Sequence, residues 1–359
     1  MLGVYIHVPY CEGKCYYCDF YSAGGSHAVP DAYVDALLRD ILAAGGCAPL
    51  RPDTVYFGGG TPSLLTAVQV RRILAALCPV TDAEITLEAN PGTVTPASLA
   101  AFFAAGVNRL SVGVQTASDE SLVRIGRRHT VQDSRDALRF AREAGFTNIS
   151  GDIMLALPAY TPDELSATAD LLAEGGCTHV SAYLLKIEPD TVFGKRPPQF
   201  LPDDDAAADF YLACVEGLSA RGFAQYEISN FAKPGCESRH NLIYWNCRDY
   251  LGFGPAAHSC AGGQRFSVPT GTARYLTAPQ PPVPQGVVDA EDFIMLQLRL
   301  HSGLSLTSLH DAWGVTFPPK TLHFLKTLQA QGLACFDGET LTLTPRGMLV
   351  QNSIVCELI

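Results

Sequence analysis

The sequence predicts an α/β fold: a parallel sheet of six strands, followed by a small α+β module. Three observations lead to this prediction. Short β-branched or aromatic runs alternate with amphipathic helical stretches over the first half of the 359-residue chain. The alternation fades after Leu185, and a proline-rich stretch at 277–285 precedes a separate pattern of helices and one hairpin. Strands that alternate with helices in this way form parallel sheets with right-handed crossovers.

Residue types and capping signals predict the individual elements. The stretch PDAYVDALLRDILAAG has Pro30 near its first turn and Gly45 as a C-cap, which is the usual asymmetry of helix ends. The predicted strands are Val4–Val8, Thr54–Phe57, Ile85–Glu88, Arg109–Val114, Asn148–Leu155 and His179–Leu185. The helices predicted between them are 30–45, Val68–Leu77, Pro96–Ala105, Val131–Ala144 and Pro162–Glu174.

Composition shifts divide the chain into four predicted parts. They are a sheet core at 1–190, an extension with a Gly- and aromatic-rich stretch at 191–276, a linker stiffened by four prolines at 277–285, and a C-terminal module at 286–359. In the C-terminal module a helix at Asp289–Leu300 precedes two short helices, a hairpin through Asp337-Gly338 and a last helix after Gly347. This order is typical of a winged helix.

The composition disfavours several classes of protein. A chain that is 47% hydrophobic and 17% charged can bury a sizeable core. The net charge of −11 argues against general affinity for nucleic acid or anionic membranes, and we expect no nucleic-acid partner and no transmembrane segment. DNA binding by the C-terminal module is a weak alternative, because Leu304–Ile359 holds three basic residues against four acids. Twelve cysteines without a secretory signal predict a reducing, cytoplasmic location.

The run CEGKCYYC contains Cys11, Cys15 and Cys18 in a C-x3-C-x2-C spacing directly after the first strand. Three thiolates do not complete a tetrahedral zinc site, which takes four ligands. They can bind three irons of a [4Fe–4S] cube and leave the fourth iron open for chemistry. The alternative is three buried structural thiols, which this spacing in a loop disfavours.

Polar residues at the ends of later strands lie where a barrel builds its site. In GGGTPS, after the second strand, the glycines let backbone groups approach a ligand closely. Glu88 and Asp152 sit in apolar strands, where an unpaired carboxylate costs several kcal/mol to bury, so each needs a partner. Ligand groups could supply one, but Glu88 could also pair with Arg127, and Gln115 could satisfy backbone groups.

These motifs resemble the radical S-adenosylmethionine (SAM) superfamily. The resemblance implies a partial (β/α)6 barrel, although counting strands does not distinguish it from a closed eight-stranded barrel. It also implies that SAM chelates the open iron and is cleaved to methionine and a 5′-deoxyadenosyl radical. By motif it assigns the cluster to Cys11, Cys15 and Cys18, and SAM or cluster-region contacts to Tyr5, Tyr17, Gly59, Gly60, Thr61, Glu88, Gln115, Arg127, Asp152 and Lys186.

Within the superfamily the chain resembles the branch of coproporphyrinogen III dehydrogenases and HemW heme chaperones. Phe20 stands where the dehydrogenases have a further cysteine, and the N-terminal arm of the dehydrogenases is missing. The GDIMLALP segment departs from the more usual D-L-I-Y-G-L-P but keeps the aspartate and the proline. The CDF continuation is similar to HemW.

The segment His240-Asn241-Leu242-Ile243-Tyr244-Trp245 resembles the H-N-x-x-Y-W signature of HemW. It offers an imidazole for axial ligation of heme iron and aromatic rings to pack the macrocycle. From residue type alone a hydrogen-bonded core histidine is the better interpretation, and the resemblance places heme ligation by His240 ahead of it. His258 and Cys247 are rival ligands.

The resemblance implies a heme chaperone that binds a [4Fe–4S] cluster, SAM and heme. Its expected partners are an acceptor protein, such as a heme-dependent respiratory enzyme, and an electron donor such as flavodoxin or ferredoxin. The alternative is an oxygen-independent coproporphyrinogen III oxidase, which converts propionates to vinyl groups by oxidative decarboxylation, because the residues that generate the radical are all present.

Overall fold

A computed structural model describes residues 1–359 and contains a twelve-stranded sheet and a three-stranded sheet. The first sheet comprises β1 (Gly3–Val8), β2 (Thr54–Gly59), β3 (Glu84–Ala89), β4 (Arg109–Gln115), β5 (Asn148–Leu155), β6 (His179–Leu184), β7 (Ala224–Glu227), β8 (Asn230–Ala232), β9 (Tyr250–Phe253), β10 (His258–Ala261), β11 (Gln264–Ser267) and β12 (Val283–Val287). The second comprises β13 (Leu304–Ser305), β14 (Ala334–Phe336) and β15 (Thr340–Leu343).

The helices lie between the strands and in the C-terminal module. They are α1 (Asp31–Gly45), α2 (Ala67–Leu77), α3 (Pro96–Ala104), α4 (Asp119–Arg124), α5 (Val131–Glu143), α6 (Pro162–Glu174), α7 (Val192–Lys195), α8 (Asp204–Ser219), α9 (Arg239–Trp245), α10 (Thr272–Thr277), α11 (Ala290–Gln297), α12 (Leu306–Trp313), α13 (Pro319–Ala330), α14 (Pro345–Leu349) and α15 (Gln351–Leu358).

The predicted α/β fold is confirmed, because strands β1 to β6 and the five predicted helices are all present. Three of these helices begin with a capping box. In each, the threonine side chain accepts a hydrogen bond from the backbone N–H of the residue three positions later, and the side chain of that residue accepts one from the threonine N–H. The threonines are Thr66, Thr95 and Thr130.

The six central strands are parallel and stand in chain order, from β1 to β6. The other edge of β1 pairs with β9 and that of β6 with β8, so β1 and β6 do not meet and the barrel stays open. Because the central strands are parallel, their carboxyl ends lie at one rim. The loops that carry the predicted site residues therefore converge there.

The predicted hairpin through Asp337-Gly338 forms β14 and β15, but the other strands after β6 were not predicted, because they are only two to five residues long and show little alternation. One of these strands overlaps the linker predicted at 277–285. Val283–Val287 forms β12, which is antiparallel to β11 and lies at the edge of the sheet. An edge strand tolerates Pro284, since proline lacks the N–H that an inner strand would donate. Residues 283–285 thus belong to the sheet.

The buried residues form two cores. A cluster of 55 residues extends from Val4 to Tyr275 and includes Tyr211, Phe231 and Phe253 from the predicted extension. The second cluster has 14 residues, between Ile294 and Leu358, and belongs to the C-terminal module. None of the helices is long and apolar enough to span a membrane.

Candidate functional site

The cysteine loop follows β1 and folds back on itself. The backbone N–H of Cys11 donates to the Ala23 oxygen at 3.0 Å, and the Ala23 N–H donates to the Pro9 oxygen at 3.0 Å. Cys11 is buried, whereas Cys15 and Cys18 are partly exposed, and all three are free thiols. Burial raises the pKa of Cys18 to about 11, so metal binding there must displace a proton.

No three His, Cys, Asp or Glu side chains are gathered closely enough to bind one metal ion. A [4Fe–4S] cube does not need that arrangement, because each cysteine binds a different iron at a separate corner. The donor set, three thiols in one loop at the sheet rim, therefore fits a cube and not a mononuclear centre.

The glycines after β2 approach neighbouring groups too closely for any side chain. Gly59 has φ +111°, and a Cβ on it would lie 2.6 Å from the His7 ring. A Cβ on Gly60 would lie 2.7 Å from the Tyr10 oxygen. The adjacent Thr61 donates its hydroxyl to the Cys11 sulfur at 3.4 Å. The glycine loop and the cysteine loop are thus packed as one unit.

The two predicted carboxylates lie on β3 and β5, the strands on either side of β4. Glu88 accepts from the Tyr56 hydroxyl at 2.9 Å and from the Gly59 N–H at 3.2 Å, and Asp152 accepts from Ser111 at 2.9 Å. Burial, reinforced by the Asp152 charge, raises the pKa of Glu88 to about 7. Burial likewise raises the pKa of Asp152.

Arg127 does not pair with Glu88, which removes that structural alternative. Its Nη1 donates to Asn90 at 2.8 Å and its Nη2 donates to the Gly113 carbonyl oxygen at 3.3 Å. Its Nε is buried and has no partner. Asn90 also donates to Thr61 at 3.0 Å. Sequence reasoning missed Asn90, although its place two residues after Glu88 at the end of a strand was a signal.

Among the other predicted residues, Gln115 and the two tyrosines are wholly or partly buried, whereas Lys186, two residues after the end of β6, is exposed. Gln115 is buried at the end of β4 with φ +68°, a strained conformation for a residue with a side chain. Tyr5 contacts His7 Nδ1 at 3.1 Å, and burial raises the pKa of Tyr17. The Lys186 side chain is exposed and pairs with Glu188 at 2.6 Å, so only its backbone remains as the predicted contact.

A polar cavity of about 270 Å³ borders the cysteine loop. Cys15, Thr61, Asn90 and Arg127 line it, together with Gly92 and Thr93. The unpartnered Nε of Arg127 is a buried donor that a carboxylate could satisfy. These residues fit the charged methionine end of SAM beside a cluster.

A second, larger cavity of about 620 Å³ lies on the other side of the cysteine loop, and twelve of its eighteen lining residues are hydrophobic. Its size falls within the range of about 300–1,000 Å³ typical of pockets for small organic ligands. The cysteine loop contributes Phe20, α9 contributes Tyr244 and Trp245, and α11 contributes Met295 and Leu296. Sequence reasoning missed the α11 residues, because nothing in the chain indicates that this helix packs over α9.

His240 does not line the large cavity. Its Nδ1 lies 2.7 Å from the Thr54 hydroxyl and its Nε2 lies 2.7 Å from the Tyr244 hydroxyl, and the ring stacks on Tyr56. Burial lowers the pKa of His240 to about 3, so the ring is neutral. The structure therefore places this predicted heme ligand in the core with both nitrogens engaged. The rivals His258 and Cys247 do line the cavity.

The fold and the rim define a radical SAM protein. Residues 5–172 match the model of the radical SAM superfamily, and residues 288–350 match that of the HemN C-terminal domain. A solved structure entitled "Coproporphyrinogen III oxidase (HemN) from Escherichia coli is a Radical SAM enzyme" superposes with a TM-score of 0.83 at 23% identity, covering 99% of this chain and 89% of that one. At that identity the similarity shows the fold alone.

Sequence relatives narrow the class. The chain is 36% identical to heme chaperone HemW of Bacillus subtilis, over 99% of this chain and 98% of the relative. It is 44% identical to heme chaperone HemW of Escherichia coli, over 72% of this chain and 69% of that relative. The chain belongs to the HemW family of the radical SAM superfamily, as the sequence resemblance predicted.

Glu88 should make the stability of the cluster-free protein depend on pH. Because its pKa is raised in the folded state, folding takes up a proton, and stability falls as pH rises from about 4.5 to the folded pKa of about 7. Glu88→Gln removes this ionisation, so the variant should gain about 2 kcal/mol relative to the parent between pH 5 and pH 8 in urea unfolding. The exposed Glu357→Gln should show no such gain. Parallel pH profiles of Glu88→Gln and the parent would contradict the prediction.

Proposed function

We propose that this protein is a heme chaperone. Cys11, Cys15 and Cys18 bind a [4Fe–4S] cluster, the strand-end residues at the rim bind SAM, and the large cavity receives one heme. The observation that carries the proposal is the apolar cavity beside the cysteine loop, walled by Tyr244 and Trp245 of the H-N-x-x-Y-W segment. The printed name of the relatives, heme chaperone HemW, supports heme as its occupant.

Different residues of the chain have different roles in this proposal. The three cysteines would hold the cluster, and SAM bound beside it would supply radical chemistry. Glu88 and Asp152 present carboxylates to cationic or hydroxyl groups at the rim, and Arg127 presents a donor to a carboxylate. Phe20, two residues after Cys18 in the sequence, is exposed and contributes an apolar ring to the lining of the large cavity. The two cavities have no lining residue in common, so heme in the large cavity would leave the polar cavity free for SAM.

The proposal extends to partners and location. The acceptor is a heme-dependent enzyme, such as a respiratory one, the electron donor is a flavodoxin or a ferredoxin, and the protein works in the cytoplasm. Twelve free cysteines support a reducing compartment. The acidic net charge of −11 supports a protein partner over nucleic acid.

The second candidate is oxidative decarboxylation of coproporphyrinogen III, and the complete radical-generating set of residues favours it. The cavity is large enough for a tetrapyrrole in either case. Phe20, in the place of a further cysteine, favours the chaperone. Anaerobic incubation with SAM, a reductant and coproporphyrinogen III distinguishes the two functions. An oxidase would form the divinyl product, and a heme chaperone would form none.

Anaerobic titration of the reconstituted protein with hemin tests the chaperone. We expect Soret absorbance to saturate at one heme per chain. Trp245→Ala should weaken binding about tenfold, because it removes an aromatic wall of the cavity. The matched control is the chain's other tryptophan, Trp313, which packs on Phe293 in the C-terminal module. Weak, unsaturable binding by the parent would refute the chaperone function, and equal losses in Trp245→Ala and Trp313→Ala would refute this cavity as the heme site.

A further inference from the structure

We infer that His258 binds the heme iron, and that His240 is a positioning residue that holds the aromatic wall of the cavity. The inference rests on the proposed function and adds to it the ligand and the orientation of the heme. It departs from the sequence resemblance, which favours His240.

Among the histidines, only His7 and His258 line the large cavity. Neither ring nitrogen of His7 is free, because its Nδ1 lies 3.1 Å from the Tyr5 hydroxyl and its Nε2 lies 2.8 Å from the backbone oxygen of Tyr21. His258 stands at the start of β10, opposite Ser267, with an exposed side chain. No protein group is hydrogen-bonded to its ring. A neutral imidazole with a free nitrogen is a common axial ligand of heme iron.

The sulfur donors of the cavity are weaker candidates. A cysteine binds iron as the thiolate. Burial raises the pKa of Cys247 to about 11, with the Asp292 charge adding to the effect, and burial also raises the pKa of Cys260. Both cysteines are therefore thiols at neutral pH.

The charges around the cavity orient the heme. Arg248 and Arg265 are its basic residues, and Asp19 and Asp292 are its acidic ones. Arg265 is committed to Asp292, with Nη1 to Oδ1 at 2.9 Å. Arg248 is exposed and forms no ion pair, so it is the cation available to a propionate. A propionate held at Arg248 would leave the apolar edge of the macrocycle to the hydrophobic lining, which includes Met295 and Leu296.

His240 acts through Tyr244. The two rings meet edge to face at 4.9 Å, and the His240 Nε2 lies 2.7 Å from the Tyr244 hydroxyl. The backbone N–H of His240 donates to Glu84 at 3.0 Å, which ties α9 to the start of β3. Tyr244 in turn packs edge to face on Tyr250, also in the cavity wall. A change at His240 therefore alters the shape of the cavity without removing a ligand.

The test is a hemin titration of the cluster-loaded protein, with absorbance and EPR spectra of the ferric complex, for the parent, His258→Gly and His258→Met. We expect His258→Gly to lose the spectrum of a histidine-ligated heme and to bind at least tenfold more weakly, and added imidazole to restore the spectrum. His258→Met should change the ligand signature while leaving the fold intact. The exposed His323→Gly, in the C-terminal module, is the matched control and should leave both readouts unchanged.

The outcomes separate the inference from the proposed function. Saturable binding by the parent with an unchanged spectrum in both His258 variants would overturn the inference and leave the chaperone intact. Loss of the histidine signature in His240→Gln, with rescue by imidazole there and none at His258, would return the ligand to His240. Absence of saturable binding by the parent would refute the chaperone itself.

Arg248→Ala tests the orientation of the heme. We expect a fivefold to tenfold weaker affinity for hemin, and no change for a heme whose propionates are esterified, because the ester removes the charge that Arg248 meets. Equal losses for both hemes would overturn the role of Arg248.

Discussion

Cys15→Ser should leave the protein without its cluster: after anaerobic reconstitution, bound iron should fall from about four per chain to less than one. A serine hydroxyl is a far poorer ligand for iron than a thiolate, and two remaining cysteines bind only two corners of the cube. Of the three proposed cluster ligands, Cys15 lines the polar cavity, so SAM binding should fall with the iron. The measurements are iron and acid-labile sulfide per chain, and EPR of the reduced protein.

The chain supplies its own control for this prediction. Cys47 is an exposed free cysteine just beyond α1, far along the chain from the cysteine loop. Cys47→Ser should keep the full iron content and the EPR signal. Retention of about four irons per chain by the Cys15→Ser protein would show that Cys15 is not a cluster ligand.

Arg299→Met should cost about 3 kcal/mol of unfolding free energy, because it leaves the carboxylate of Glu227 buried without its partner. The Glu227 side chain is 0% exposed, and its Oε2 lies 3.2 Å from Arg299 Nη2. The Arg299 guanidinium also lies 4.3 Å from the centre of the Trp245 ring. Arg299, which lies just after α11, thus contacts both Glu227 at the end of β7 and Trp245 at the end of α9.

Urea unfolding at pH 8 measures the loss of unfolding free energy, and the size of this loss should depend on pH. Burial raises the pKa of Glu227, so without Arg299 the carboxyl group takes up a proton as pH falls. The loss should accordingly be smaller at pH 5 than at pH 8. The double variant Glu227→Gln/Arg299→Met should recover most of the stability, because no buried charge is left unpaired.

Arg139→Met is the surface control for the same experiment. Arg139 pairs with Asp136 and Glu143 on the exposed face of α5, and such solvent-exposed pairs contribute little to stability. A loss at Arg299 no greater than that at Arg139 would show that the Glu227 pair does not stabilise the docking of the C-terminal module.

Local patterns in the sequence predicted the central half of the fold. Strands such as Asn148–Leu155 and helices such as Pro162–Glu174 have the predicted bounds, because alternation, capping threonines and terminal glycines act within a few residues of one another. The same holds for the cysteine loop and GGGTPS, whose spacing along the chain carries the family resemblance. Of the strands after β6, the local hairpin of β14 and β15 was predicted, whereas the others were missed because short strands depend on partners far away in the sequence.

The sequence by itself determined the class of protein and the order of its rim residues, since these depend on short-range patterns and on motifs. Only the tertiary structure decided what each histidine can do. His240 and His258 are both plausible ligands in the sequence, yet Thr54 and Tyr244 occupy both nitrogens of His240, and β10 presents His258 to the cavity. The cavity itself exists because α11 packs beside α9. Availability of a nitrogen and the shape of a cavity depend on contacts between distant segments, which no local pattern encodes.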